Sequence, residues 1–361
     1  MSDRPRNPVR ILVLNAGSTS TKLGVYEDER CLFSETLRHD ETAIRASNSF
    51  LDQYPMRKRD IMRSLEEHET DLSAFDIAVS RGGTVRPLEG GTYLINDAFV
   101  RDAETERYGS HVCNVGCKLA HDLAMKAGIP AVTVDPPCID EMIPEARYTG
   151  MPEFRRKSLF QALSQRATAR KLAAALGKKY EEMNAVVAHM GGGMSIAAHR
   201  RGRIVDVNNG LDGDGPMAPE RAGTLPAGDL VRLCFSGTLP QAEIIRKING
   251  RGGLYAYLGT ADVGAIEARA DTGDAKAEEL LSAMCYQIGK DIGAAAAVLR
   301  GKVDALGFTG GLVNSKFVMD RLREQTSWLA PVHVFQEQNE MEALALGALR
   351  HIRGTEPARE Y

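Results

Sequence analysis

The chain has 361 residues, 43% of them hydrophobic and 26% charged, which are ordinary globular values and exclude a largely disordered protein. At about 150 residues per domain that length predicts two domains, with enough core to fold without disulfides or a structural metal. The 45 basic and 48 acidic residues leave a formal charge of -3, so no global positive field favours a nucleic acid partner.

The opening apolar run, Ile11 to Leu14, is too short for a signal-peptide core, and no stretch approaches the ~20 apolar residues of a spanning helix. The richest stretch, Ile292 to Leu299, is interrupted by Gly293 and flanked by charge, and reads as a buried helix. A cytoplasmic location with no membrane partner is expected. Cys31, Cys113, Cys117, Cys138, Cys234 and Cys285 lack CxxC spacing, so reduced, mostly buried thiols and no zinc are expected.

Arg10 to Leu14 predicts a strand, Asn15 to Thr21 a small-residue turn, Lys22 to Tyr26 a second strand and Cys31 to Leu37 a third. A helix around Ile61 to His68 and a buried strand at Ile77 to Val79 follow. Helices are predicted over Asp97 to Tyr108 and Val115 to Gly128, then a strand, Ala131 to Val134, stopped by Pro136 and Pro137. A long helix runs from about Phe154 to Leu176, with Gly177 as its C-cap.

Ala185 to Ala188 starts a fresh strand that enters His189 and a glycine run. Met194 to Ala198 and Arg203 to Val207 form a hairpin beyond it. Helices are predicted near Ala227 to Phe235, Pro240 to Ile248, Ala261 to Ala270 and Gly273 to Arg300. A buried strand at Ala305 to Phe308, a helix at Lys316 to Gln325 and a strand at Val332 to Phe335 come next. The closing helix, Glu340 to Ile352, is expected to pack back onto the first domain.

The two meanders share one plan. Laid over each other, ILVLNAGSTSTKLGVYEDERCLF and AVVAHMGGGMSIAAHRRGRIVDV place Asn15 on His189, Gly17 on Gly191, Ser18 on Gly192 and Asp28 on Gly202. A single domain duplicated is the reading, with chance likeness of two meanders as the alternative. Glycine lets a backbone approach a ligand closely, and free N–H groups beside Ser/Thr hydroxyls suit phosphate oxygens. One such turn is weak; two at equivalent places are expected to face each other across a cleft. A third loop, Gly307 to Gly311, follows a buried strand and precedes a helix, a usual nucleotide position in α/β folds. Neither GxxxxGK[ST] nor a first-strand GxGxxG is present.

The sequence resembles the acetate/butyrate (short-chain carboxylic acid) kinase family of the actin, hexokinase and heat-shock-chaperone ATPase superfamily. LNAGSTSTK (Leu14 to Lys22) matches its first phosphate motif, VVAHMGGGMS (Val186 to Ser195) its second, and GFTGGLVNS (Gly307 to Ser315) its adenosine motif. SRGG (Ser80 to Gly83), EGGTY (Glu89 to Tyr93), VDPP (Val134 to Pro137), DGDGPMAPER (Asp212 to Arg221) and EMEALALGALR (Glu340 to Arg350) follow the family's order. EGGTY and DGDGP favour the butyrate branch. The resemblance implies duplicated ribonuclease-H-like (actin-like) α/β domains, with mixed sheets flanked by helices. It assigns residues 1–138 with 341–361 to an acid-binding domain and 139–340 to an adenosine-binding domain.

The implied reaction passes a phosphoryl group from ATP to a short-chain carboxylate, giving ADP and an acyl phosphate. The nucleophile is already ionised at neutral pH, so no general base is needed. The difficulty is charge: an anion must meet a polyanion, and catalysis is expected from in-line positioning and neutralisation. The resemblance assigns Arg81 and Arg221 to the carboxylate and the transferring phosphoryl, where a guanidinium fork fits. His189 and His111 match a phosphate-contacting and a substrate-side histidine. Asn15, Gly17, Ser18, Thr19, Ser20 and Lys22 belong to the first phosphate turn and Gly191, Gly192 and Gly193 to the second. Gly310, Gly311 and Asn314 fall on the adenosine pocket. Asp135 and Glu340 match the acids associated with magnesium.

Each assignment has a plainer alternative: solvated arginines, satisfied histidines, Asp135 as a turn residue, Glu340 as a helix-start acid. The family's histidine after the RKS-x-F phenylalanine is replaced by Gln161, which can donate a hydrogen bond but carries no charge. A slower enzyme, a shifted acid preference or a non-catalytic nucleotide binder stays open on that account. A small-molecule kinase with another acceptor is a further alternative. A homodimer, or a multiple of one, is what the resemblance implies for assembly.

Overall fold

The computed structural model describes residues 8–47, 49–336 and 339–361. It divides into two compact units, Met1–Ile139 with Asn339–Tyr361, and Asp140–Gln338.

The first unit opens with the antiparallel meander β1 (Arg10–Ala16), β2 (Ser20–Glu27) and β3 (Arg30–Arg38). Helices α1 (Glu41–Ala46) and α2 (Tyr54–Glu67) lead to β4 (Ile77–Ser80), which lies parallel to β1. Then come β5 (Thr92–Leu94), α3 (Asp97–Glu104), α4 (Cys113–Ala127) and β6 (Ala131–Val134). The sheet order is β3-β2-β1-β4-β6-β5. Both α4 and the C-terminal helix, Glu340–Ile352, pack against β1, β4 and β6.

The second unit contains α5 (Pro144–Arg147), α6 (Ala162–Ala175) and the meander β7 (Asn184–Met190), β8 (Met194–Arg200) and β9 (Arg203–Val207). After it come α7 (Ala227–Phe235), α8 (Gln241–Ile248), α9 (Gly253–Leu258), α10 (Val263–Asp271) and α11 (Ala275–Val298). The strands β10 (Ala305–Thr309) and β11 (Val332–Phe335) flank α12 (Lys316–Thr326). The order is β11-β10-β7-β8-β9.

Read from the hairpin edge, the sheets run 3-2-1-4-6 and 9-8-7-10-11, antiparallel over the meander and parallel after it. This is the duplicated ribonuclease-H-like α/β plan that the sequence implied. Strand periodicity explains why each sheet takes helices on both faces. Val186, Ala188 and Met190 of β7 join Leu281, Met284, Ile288 and Ile292 of α11 in one core. Their alternates Ala185 and Val187 pack on Ala169, Leu172 and Ala173 of α6.

Several expectations need correction. The long helix begins at Ala162, not near Phe154. The preceding segment is irregular because Arg156 spends its guanidinium on Ala146 O, Asp206 Oδ1 and Val207 O, at 2.9, 2.8 and 3.0 Å. Helix α3 ends at Glu104 instead of Tyr108, and Glu106 just beyond it has a left-handed φ of 52°. Strand pairing makes Arg201 (φ 49°), not Gly202, the counterpart of Asp28 (φ 50°), because the turn between the paired residues of β1 and β2 holds one residue more than the turn between those of β7 and β8. Cys113, Cys117 and Cys285 are buried free thiols, but Cys31 and Cys234 are exposed. Among the described residues no helix is long and apolar enough to cross a membrane.

Candidate active site

In the first unit the turn between β1 and β2 shows its carbonyl oxygens to the protein. Gly17 O, Ser18 O and Ser20 O accept from Arg57, and Thr19 O accepts from His39 N–H. Ser18 and Thr19 are exposed, Gly17 and Ser20 half-buried. A planar peptide sets each C=O antiparallel to the next N–H, so the Ser18 and Thr19 amides point outward. Lys22 is exposed on β2, paired in register with Asn15.

Asn15, the last residue but one of β1, is buried, and its Nδ2 donates to Glu340 Oε2 at 2.7 Å. The other oxygen, Oε1, lies 3.8 Å from Arg81 Nη1 at the end of β4. Cys113 N–H donates to His111 Nδ1 at 3.2 Å and the Cys113 thiol lies 2.5 Å from the same nitrogen. Nδ1 is therefore the acceptor and Nε2 carries the proton. Packing around the ring and then the Arg81 charge hold the His111 pKa below the usual imidazole value. Asn15, Arg81, His111 and Glu340 thus gather beside the first turn as a polar cluster with one guanidinium and a neutral imidazole donor.

Asp135 is placed differently. It is buried with φ 43°, and its Oδ1 and N–H are both committed to the backbone of Gly91, at 2.8 and 3.0 Å. It fastens the Glu89 to Tyr93 loop, the role of a turn residue. Glu340, by contrast, turns one oxygen to Asn15 Nδ2 and the other toward Arg81, meeting side chains and not a loop's backbone. Among the described residues no cluster of three or more His, Cys, Asp and Glu is arranged to hold a metal by itself.

In the second unit the turn between β7 and β8 is bare backbone. The His189 ring turns Nδ1 to Ser164 Oγ at 3.1 Å, with Nε2 on the Gly191 side. The Arg221 guanidinium lies directly against Gly193 and donates to Gly210 O. Burial lowers the Arg221 pKa, opposed by the neighbouring Glu220 carboxylate. Gln161 stands just before α6, three residues ahead of Ser164, and its Oε1 is buried with no hydrogen-bond partner among the described residues. Gly191, Gly192, Gly311 and Asn314 line one cavity of about 420 Å³. Gly310 stands behind it at φ 94°, where a Cβ would strike the Met190 backbone. The cavity is also lined by Asp262, Val263, Gly264 and Glu267 of α10 and its cap, residues for which the sequence offered no signal beyond a helix.

Two glycine-containing turns, each with an arginine and a neutral polar donor at hand, and a cavity walled by one of them are features that a nucleotide-dependent phosphotransferase needs. Residues 145–344, more than half of the chain, match the acetokinase family model, and the chain belongs to that family of ATP-dependent kinases of short-chain carboxylates. Its structure is similar to the acetate kinase of Porphyromonas gingivalis, with a TM-score of 0.78 and 20% identity over 96% of this chain and 100% of that one. A propionate kinase from Francisella tularensis gives 0.74 and 18% over 94% and 98%, and the Entamoeba histolytica acetate kinase 0.67 and 17% over 89% and 87%. At such identities the likeness shows the fold.

Proposed function

We propose that the chain is a butyrate-type kinase, transferring the γ-phosphoryl group of ATP reversibly to an aliphatic acid of about four or five carbons. The cluster of Asn15, Arg81, His111 and Glu340 carries this reading, because it offers an acid and a phosphoryl group a fork of donors and one full positive charge. Arg81 orients the acceptor carboxylate. His111 Nε2–H adds a neutral donor that does not surrender its proton at pH 7. Arg221 and His189 meet the charge that spreads over the transferring oxygens, and Gln161 adds a donor there. The EGGTY loop, tied to Asp135, and the DGDGP segment that leads to Arg221 support the butyrate branch.

Magnesium, when bound with ATP, neutralises phosphate charge; Glu340 would hold it, with Asp135 shaping the loop beside it. The acidic wall of the 420 Å³ cavity suits ribose hydroxyls and an exocyclic amine better than a second phosphate. A homodimer is supported by exposed apolar side chains, Val231, Phe235, Ile245 and Tyr257, on α7 to α9; sedimentation tests it. A cytoplasmic setting belongs to the same reading.

Hydroxylamine trapping of acyl phosphate, with ATP and Mg²⁺ over a series of straight and branched acids, is the test. Turnover should peak at four or five carbons. Acetate turning over faster than every longer acid would remove the butyrate assignment, and no turnover with any acid would favour a non-catalytic nucleotide binder.

A further inference from the structure

Helix α2 delivers to the first phosphate turn a side chain that the reaction scheme above does not use. Arg57 has no exposed surface at all. Its Nε and Nη2 reach Gln53 Oε1 at 3.1 and 2.7 Å, one helical turn earlier. Nη1 donates to Ser20 O at 2.9 Å and Thr21 Oγ1 at 2.8 Å, and Nη2 to Gly17 O and Ser18 O at 2.9 and 3.2 Å. Every nitrogen of the fork is engaged, and every acceptor is neutral.

A buried guanidinium ordinarily has a carboxylate partner, because an uncompensated interior charge is costly. Among the described residues none pairs with Arg57. The nearest acid in the network, Asp60, is reached only through two other side chains. Thr21 Oγ1 lies 2.9 Å from His39 Nε2, and His39 Nδ1 lies 2.8 Å from Asp60 Oδ2. Because Thr21 accepts from Arg57, its hydroxyl proton goes to His39, whose Nδ1–H then faces Asp60. That carboxylate also meets Arg59 and Arg63 at 3.5 and 3.9 Å. The cation beneath the turn is left without a counter-ion of its own.

We infer that Arg57 is a positioning residue for phosphate: it draws the carbonyls of Gly17, Ser18 and Ser20 inward, turns the Ser18 and Thr19 amides out, and puts an unpaired positive charge behind them. The missing counter-ion is the phosphate chain of the nucleotide. This rests on the reading of the turn as the first phosphate site. A neutral turn with the same amides would present partial charges only; the buried guanidinium adds a full one where screening by salt is weak.

The full-length protein is titrated calorimetrically with ATP and, separately, with adenosine, for wild type, Arg57→Lys and Arg57→Gln. Lysine keeps the charge with fewer bonds; glutamine keeps donors without the charge. Adenosine affinity should stay within twofold in all three. ATP affinity should fall roughly 30-fold in Arg57→Gln, the scale for one charge acting across about 8 Å at an effective dielectric of about 20. In Arg57→Lys it should stay within fivefold. Equal ATP affinity in wild type and a folded Arg57→Gln would overturn the inference, as would ATP and adenosine weakening together. Should the glutamine variant not fold, Arg57→Lys decides alone: a loss of ATP over adenosine preference greater than fivefold overturns the role of the charge. If the affinities behave as expected but no acid is phosphorylated, the functional reading fails and the anion site stands.

Discussion

Replacing Gly193 by alanine separates catalysis from stability at one atom. Gly193 lies outside the left-handed region, so its backbone accepts a side chain. The new Cβ would overlap Nη1 and Cζ of Arg221 and reach within 2.9 Å of Nη2. Since the obstacle is the far end of a flexible side chain, the chain yields by swinging the guanidinium off Gly210 O. About 1 kcal/mol of stability should be lost, or roughly 2–4 °C in Tm for a unit of this size. The catalytic loss should be far larger. Removing one transition-state donor costs about 10²–10³ in kcat, or roughly 2.7–4 kcal/mol. Steady-state kinetics on Gly193→Ala, Arg221→Ala and the double variant is the assay. The double should be no slower than Arg221→Ala, because both changes remove the same contact. Gly310→Ala is the control: there a Cβ meets the Met190 backbone at φ 94°, and stability should fall first. A Gly193→Ala enzyme with full kcat, or one as unstable as Gly310→Ala, would refute the reasoning.

His199 is fully buried between Tyr180 OH at 2.8 Å and Gln165 Oε1 at 3.0 Å, and burial, then the charge of Arg166, pushes its pKa down to about 3. Between pH 6.5 and about 3 the unfolded chain binds a proton that the native state refuses, so stability is complete above 6.5 and declines as pH falls, by at most about 1.4 kcal/mol per pH unit. Urea unfolding of wild type and His199→Gln from pH 7 to 4 should show the flatter curve in the variant; parallel curves would contradict it. At Gln161, histidine should raise kcat, increasingly as pH falls toward about 6.5, and alanine should lower it. Wild-type rates and pH profile in both variants would make the residue structural.

The duplicated plan was legible because each meander joins short apolar strands by small or charged turns, a pattern of apolar residues that survives any packing. Helix α11 was legible for the same reason, as a long segment with a consistent apolar face. Strand β5 escaped notice because three residues carry no period, and the early start assigned to α6 arose because a basic run looks helical until Arg156 is seen spending its donors on the loop. Arg57 sits within MRKRD, which reads as one more solvated basic stretch. Only the fold shows that this one of its cations turns inward. Asp262 and Glu267 were hidden likewise, since a helix does not announce which of its polar residues will overlook a cavity.

The two turns descend from one plan yet differ in composition, and the direction from which positive charge arrives accounts for the difference. Ser18 and Thr19 carry side chains outward, which add hydroxyl donors but crowd the outer face. The guanidinium that touches this turn comes from beneath, where Arg57 needs only carbonyl oxygens. In the second turn Gly191, Gly192 and Gly193 leave the backbone uncovered, and Arg221 rests against Gly193, where a Cβ would intrude. Serine in place of Gly193 would forbid the second arrangement, while glycine in place of Ser18 would remove a hydroxyl without bringing a cation closer. Each composition thus fits the side from which its own arginine approaches, Arg57 from beneath the first turn and Arg221 over the bare backbone of the second.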